Sequence, residues 1–244
     1  MRWLLLADIH ANRRQMAWLA DVAPSYDAVV LAGDLVDLAG HTPLAAQRVM
    51  MQKAIRAVAS ATTVFVVSGN HDVDAPDGSA RWLRALAGPN LFVDGSTVSM
   101  AGVVVTLWPW AAGFAGGDAQ APRWRHEHLF SNWIWVHHAP PAGTRTSRCP
   151  HEGPLAGNAR LLERIRRHRP ALVLSGHLHD APFRAGGGWW DEIGETVILN
   201  PGHDHGALPA HVVIDFAAGE LAWHTATTHE TRPLRLLPTL AGVA

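Results

Sequence analysis

Cysteine is almost missing from this chain. Cys149 is the only one in 244 residues, so no disulfide can close within it. That fits a reducing compartment. An excess of one charge sign is missing too. Lys and Arg total 20 against 21 Asp and Glu, a formal net charge of −1. A generally basic surface for coating nucleic acid is therefore not indicated, although a local basic groove stays open. No apolar run is long enough to span a bilayer. The opening MRWLLLADIHAN reaches Asp8 after a very short apolar run, too short for a signal-peptide core. The expectation is a cytoplasmic protein that does not enter membranes, with nucleic acid a disfavoured partner. No internal repeat or long low-complexity tract appears, and the length suits one domain over 1–244.

Histidine and tryptophan are plentiful, at 16 and 11. Many histidines raise the prospect of a metal site, but only their positions can make the case. Apolar runs at Trp3 to Leu6, Ala28 to Leu31 and Val64 to Val67 predict buried strands. Helical patterns at Arg13 to Val22 and Leu44 to Ser60 lie between them, which implies a parallel sheet with packed helices. Short strands are expected at Leu91 to Val93, Thr97 to Met100, Val103 to Leu107, Asn132 to Val136 and Ala171 to Leu174. A helix over Ala159 to His168 stops before Pro170. Three more strands are expected at Thr196 to Leu199, His211 to Phe216 and Leu221 to Thr225. Long loops are expected at Gly113 to Phe130 and Pro140 to Gly157, and loops of such length are usually functional.

Ligand-type side chains cluster where predicted strands end. Asp8-Ile9-His10 follows the first strand, and Gly33-Asp34 with Asp37 follows the second. Gly69-Asn70-His71-Asp72 follows the third; His137-His138 and Gly176-His177-Leu178-His179 follow later ones. In open α/β sheets, sites form outside the carboxyl ends of strands. Each piece alone is weak, since Gly-Asp usually marks a turn and a lone buried histidine is usually structural. Five such pieces at strand ends are a different matter.

Together these motifs resemble the signature of the calcineurin-like metallophosphoesterases, spread over residues 8–179. Val197-Ile198-Leu199-Asn200-Pro201-Gly202 also resembles the strand and turn that often follow the last motif. The resemblance implies a four-layer α/β/β/α sandwich with two central mixed sheets. It also implies hydrolysis of phosphate esters by a metal-bridging hydroxide, with small-molecule monoesters or diesters as substrates. A protein phosphatase, or a non-catalytic interaction module like the retromer subunit of this fold, are the alternatives.

By the same resemblance, Asp8, His10 and His179 bind one ion, Asn70, His137 and His177 bind a second, and Asp34 bridges them. Imidazole and carboxylate donors suit two divalent Mn, Fe or Zn ions. His137 is preferred because the first histidine of a His-His-Ala-Pro stretch is the expected ligand. Adjacent strand residues face opposite ways, so His138 should not reach the same ion. Asn70 and His71 are expected at the phosphate. His71 is the expected catalytic group at the leaving oxygen, with Asp37 holding it. His203, beside His205 after Asn200-Pro201-Gly202, is a candidate substrate contact. In the long loops, Arg123, Arg125, Arg145 and Arg148 are candidate anion grips or plain solvated charges.

Overall fold

Strands such as Leu4-Leu5-Leu6, apolar on both faces, can be buried only between two layers, and that requirement organises the chain. The computed structural model describes residues 1–113, 132–149 and 156–234. The first half runs β1 (Arg2–Leu6), α1 (Arg13–Val22), β2 (Ala28–Ala32), α2 (Leu44–Ala59), β3 (Thr63–Val67), α3 (Arg81–Arg84) and β4 (Leu91–Phe92). Then come β5 (Thr97–Met100), β6 (Val103–Leu107), β7 (Trp133–Val136), α4 (Ala159–His168) and β8 (Leu172–Leu174). The chain closes on β9 (Trp190–Ile193), β10 (Thr196–Leu199), β11 (His211–Asp215), β12 (Glu220–His224) and β13 (His229–Pro233).

Two mixed sheets form. One has the order β13-β12-β11-β1-β2-β3-β4, the other β5-β6-β7-β8-β10-β9. The pairs β1–β2, β2–β3 and β3–β4 are parallel in the first sheet, as are β6–β7, β7–β8 and β8–β10 in the second. Trp3, Leu5, Val30, Phe65 and Val67 meet Val105, Ile134, Val136, Leu172 and Leu199 in the core between the sheets. The opposite side chains of the first sheet, Leu4, Leu6, Val29 and Val64, pack on Met16 and Leu19 of α1 and Met51 and Ile55 of α2. Trp133, Trp135 and Val173 of the second sheet cover Leu161 and Ile165 of α4. The result is the expected four-layer α/β/β/α sandwich.

The starts of α1 and α4 are set by side-chain caps. Asn12 Oδ1 accepts from the N–H groups of Arg14 and Gln15 at 3.1 and 3.3 Å, and Asn158 Oδ1 accepts from Leu161 N at 2.9 Å. Such caps are each worth about 1 kcal/mol. Three elements were not predicted by the apolar pattern: α3, β9 and β13. Every residue of β13 is exposed. Backbone pairing with β12 holds it, with the His229 ring stacked 4.4 Å from that of His224. Among the described residues no helix is long and apolar enough to cross a membrane.

Candidate metal centre

Parallel strands deliver their ends to one edge, and there the backbone turns sharply. Asp8, His10, Asp34 and His177 all have positive φ, at 56, 46, 53 and 69°. The left-handed region costs an L-residue roughly 1–2 kcal/mol. It is enforced by bonds between neighbouring strand exits: Asp8 N–H to Gly33 O at 3.0 Å, His10 N–H to Asp34 O at 3.0 Å, Ala11 N–H to Leu35 O at 2.7 Å. Glycines let the exits approach. A Cβ on Gly69 would run into the Asp34 carboxylate, and one on Gly176 would meet Ala7 and Asp8.

The donor atoms converge in three groups, the atoms of each lying within 4.8 Å of one another: Asp8, His10, Asp34 and His179; Asp34, His138 and His177; His10, Asp37 and His71. Asp34 belongs to the first two groups. His10 Nε2 and His179 Nε2 are 3.1 Å apart, and Asp8 Oδ1 is 3.2 Å from the same His179 atom. Asn70 Oδ1 is buried at the end of β3 and has no hydrogen-bond partner. An unpartnered buried carbonyl oxygen is costly, and an ion is one group that would satisfy it. The donor set of imidazole, carboxylate and amide oxygen therefore fits divalent transition ions.

One residue departs from the sequence expectation. His138, not His137, joins Asp34 and His177. The reason is the period of two along β7. Ile134 and Val136 face the core between the sheets, and His138 continues that face. His137 continues the face of Trp133 and Trp135, toward α4. His138 Nδ1–H donates to Ala32 O at 2.6 Å, leaving Nε2 3.2 Å from Asp34 Oδ2, an ion-pair distance without hydrogen-bond alignment. His137 Nδ1–H donates to Ala139 O at 2.8 Å. A Cβ on Gly33 would run into the His138 ring, in a backbone whose φ of +93° already favours glycine. Gly33→Ala is expected to cost about 2–4 kcal/mol, from strain and forced displacement of His138. That corresponds to a fall of about 5–15 °C in unfolding midpoint. Calorimetry showing an unchanged midpoint would contradict this contact.

Electrostatics follow from crowding two carboxylates with several imidazoles. Burial raises the Asp8 carboxyl, but the His179 hydrogen bond and the His138 charge outweigh it and hold it low. Asp34 is likewise held low: burial raises it, and the His138 charge outweighs that. Burial would lower His138, yet the two carboxylates push it up to about 9. Burial first, then like charge, takes His177 down to about 4.

His71 lies beside the Asp34 carboxylate, with Nε2 3.8 Å from Asp34 Oδ2. Its support is not the expected one. The Leu38 N–H donates to His71 Nδ1 at 3.2 Å, whereas Asp37 Oδ1 accepts from Ala39 N–H at 2.8 Å. A ring that accepts at Nδ1 carries its proton on Nε2, the atom facing the site. Asp37 lies within reach of His10 and His71 but is not hydrogen-bonded to either. The motif residue Asp72, for which the sequence suggested no role, is fully buried and accepts from the N–H groups of Leu35, Val36 and Gly69. It ties the exits of β2 and β3 together. Burial, then the Asp34 charge, pushes its carboxyl up to about 7.

His203 and His205 line the same cleft, about 360 Å³ in volume, with Asn12, Asp37, His10, His71 and His179. Trp110 lies against the other side, its ring 5.5 Å from His138 and 5.2 Å from His177. Arg145 is spent elsewhere: its Nη2 donates to Gly187 O at 3.0 Å and its N–H to Asp191. Arg148 is exposed. Arg123 and Arg125 lie outside the described residues.

Comparison with known proteins agrees with this fold. The sequence pattern of the family described as calcineurin-like phosphoesterase matches residues 1–181. No curated protein matches the chain. Among solved structures, a dimetal phosphatase from Danio rerio is 11% identical, with 96% of this chain and 99% of that one covered and a TM-score of 0.60. A Thermus thermophilus protein is 16% identical, covered at 96% and 99%, with a TM-score of 0.57. A purple acid phosphatase from yellow lupin (Lupinus luteus) seeds is 13% identical, with a TM-score of 0.60. All of this chain is covered there, but only 52% of the lupin chain. At such identities the likeness is one of fold.

Proposed function

Given that the chain belongs to the calcineurin-like phosphoesterase family, we propose that this metal-dependent phosphoesterase acts on small-molecule phosphomonoesters or phosphodiesters with two transition-metal ions. Asp8, His10 and His179 would hold one ion, Asn70, His138 and His177 the other, and Asp34 would contribute to both. The observation that carries this reading is the place of Asp34 in two separate donor groups. A carboxylate can offer oxygens to two ions about 3.5–4 Å apart, which a single imidazole nitrogen cannot.

When bound, two divalent ions supply Lewis-acid charge stabilisation and activation of water. The protein's own residues do the rest. Asp34 is kept anionic by its surroundings. Its position is fixed by the His71 N–H, which donates to Oδ1 at 2.9 Å. The Leu38 N–H holds the His71 ring with its Nε2 proton toward the site, where it donates to the leaving oxygen. Trp110 and the strand exits keep the His138 and His177 side out of bulk water.

Metal analysis combined with a panel of mono- and diesters sharing one leaving group tests the reading. Fewer than two ions per chain at saturation, or no turnover of any ester by loaded protein, contradicts it. The two adjacent histidines give a sharper check. His138→Ala is expected to reduce bound metal from two ions to one and to lower turnover at least about 100-fold, the upper range seen even for residues that only support a ligand. His137→Ala is expected to keep both ions. The reverse pattern in elemental analysis would return the ligand role to His137.

A further inference from the structure

The imidazoles of His203 and His205 are bonded to one another. His203 Nε2 lies 3.1 Å from His205 Nδ1, with the rings edge to face at 4.5 Å. His203 also packs edge-on against His10 at 5.3 Å and lies 4.9 Å from His179, so the pair borders the Asp8–His10–His179 side of the centre. Neither belongs to a convergent donor group. Both face the cleft that holds His71.

Their turn is clamped at both ends. Gly202 N–H donates to Oδ1 of the fully buried Asn200 at 2.9 Å, and His203 N–H donates to His179 O at 3.2 Å. At the far end, buried Gln15 donates from Nε2 to Asp204 O and to Gly206 O, and Asn12 Nδ2 donates to Gly206 O. The N-terminal turn of α1 thus fixes the loop relative to the strand exits, and a site so supported keeps its geometry.

The bond between the rings has a chemical consequence. If His203 Nε2 carries the shared proton, His203 Nδ1 is an acceptor and His205 Nε2–H is a donor. If His205 Nδ1 carries it, His203 Nδ1–H is the donor and His205 Nε2 the acceptor. In either arrangement two neutral rings leave one donor and one acceptor. A hydroxyl group offers the same two functions, whereas a phosphate or carboxylate oxygen only accepts. Asp37, across the same cleft, adds a carboxylate that accepts from a hydroxyl and repels a second anion.

We propose that the His203–His205 pair is a specificity element that receives the alcohol part of the ester and selects uncharged, hydroxyl-bearing alcohols. This rests on the phosphoesterase reading above. The test uses full-length, metal-loaded protein with two monoesters: glycerol 2-phosphate, whose alcohol carries hydroxyls, and phenyl phosphate, whose alcohol carries none. His205→Ala is expected to lower kcat/KM for glycerol 2-phosphate, through KM, by at least about fivefold more than for phenyl phosphate, the size of one hydrogen bond. His205→Gln, which keeps a donor and an acceptor, is expected to recover most of that difference. Metal content measured beside each assay guards against a general loss of the site.

Equal loss on both esters, or no loss on either, overturns the proposal. So does a wild-type enzyme that hydrolyses phenyl phosphate but not glycerol 2-phosphate, while leaving the phosphoesterase reading intact. A loaded wild type that hydrolyses neither counts against monoester hydrolysis and against the pair's role together.

Discussion

Replacing His71 by alanine is expected to leave both ions bound and to slow turnover by about 10²–10⁴-fold, the usual worth of general acid–base assistance. The expectation follows from the ring's tautomer. The Leu38 N–H occupies Nδ1 and leaves the Nε2 proton facing Asp34 across 3.8 Å. Among the described residues, no other histidine ring of the cleft is hydrogen-bonded to the backbone. The loss should shrink for esters with good leaving groups, which need little protonation as they depart. Comparing aryl esters of graded leaving-group acidity on the variant therefore separates proton donation from mere positioning. A variant that lost an ion, and recovered full rate once metal was resupplied, would make His71 a ligand instead.

Asp34→Asn should have the larger effect on metal. It preserves shape, the acceptor oxygen for the His71 N–H, and a residue type that tolerates left-handed φ. What it removes is the charge shared between the two donor groups. Supporting residues around a metal already change affinity by about 10–100-fold. Losing the shared carboxylate should exceed that range and leave at most one ion per chain at micromolar metal. Binding of Mn²⁺ or Zn²⁺ followed by calorimetry checks this. Two ions bound at wild-type affinity would show that Asp34 bridges nothing.

Much of this was legible in the residues. Continuous apolar strands announced the buried parallel sheets, and ligand-type residues at strand ends announced the edge where Asp8, His10, Asp34, Asn70, His71, His177 and His179 sit. The structure groups His138 rather than the preferred His137 with Asp34 and His177, for a physical reason that was itself readable. Counting the alternation along Trp133-Ile134-Trp135-Val136 places the second histidine, not the first, on the face between the sheets. The contact to His71 was not readable, because a main-chain N–H from Leu38 makes it, and main-chain donors carry no sequence signal. Asp72 was hidden likewise, since its partners are all backbone amides. The edge strand β13 has five exposed residues and no apolar rhythm, so only pairing with β12 defines it.

The left-handed backbone at Asp8, His10, Asp34 and His177 also bears on how this centre can change by descent. Among residues other than glycine, asparagine visits that conformation most readily, and codons for aspartate and histidine are each a single base from one for asparagine. Of the single-base changes open to these four positions, the one to asparagine is thus among the gentlest to the main chain, yet it strips a charge or an imidazole from the shell. A lineage carrying this scaffold could weaken its metal centre in one mutational step while keeping its sheets, and move toward a folded surface free to be recruited for contact with other molecules.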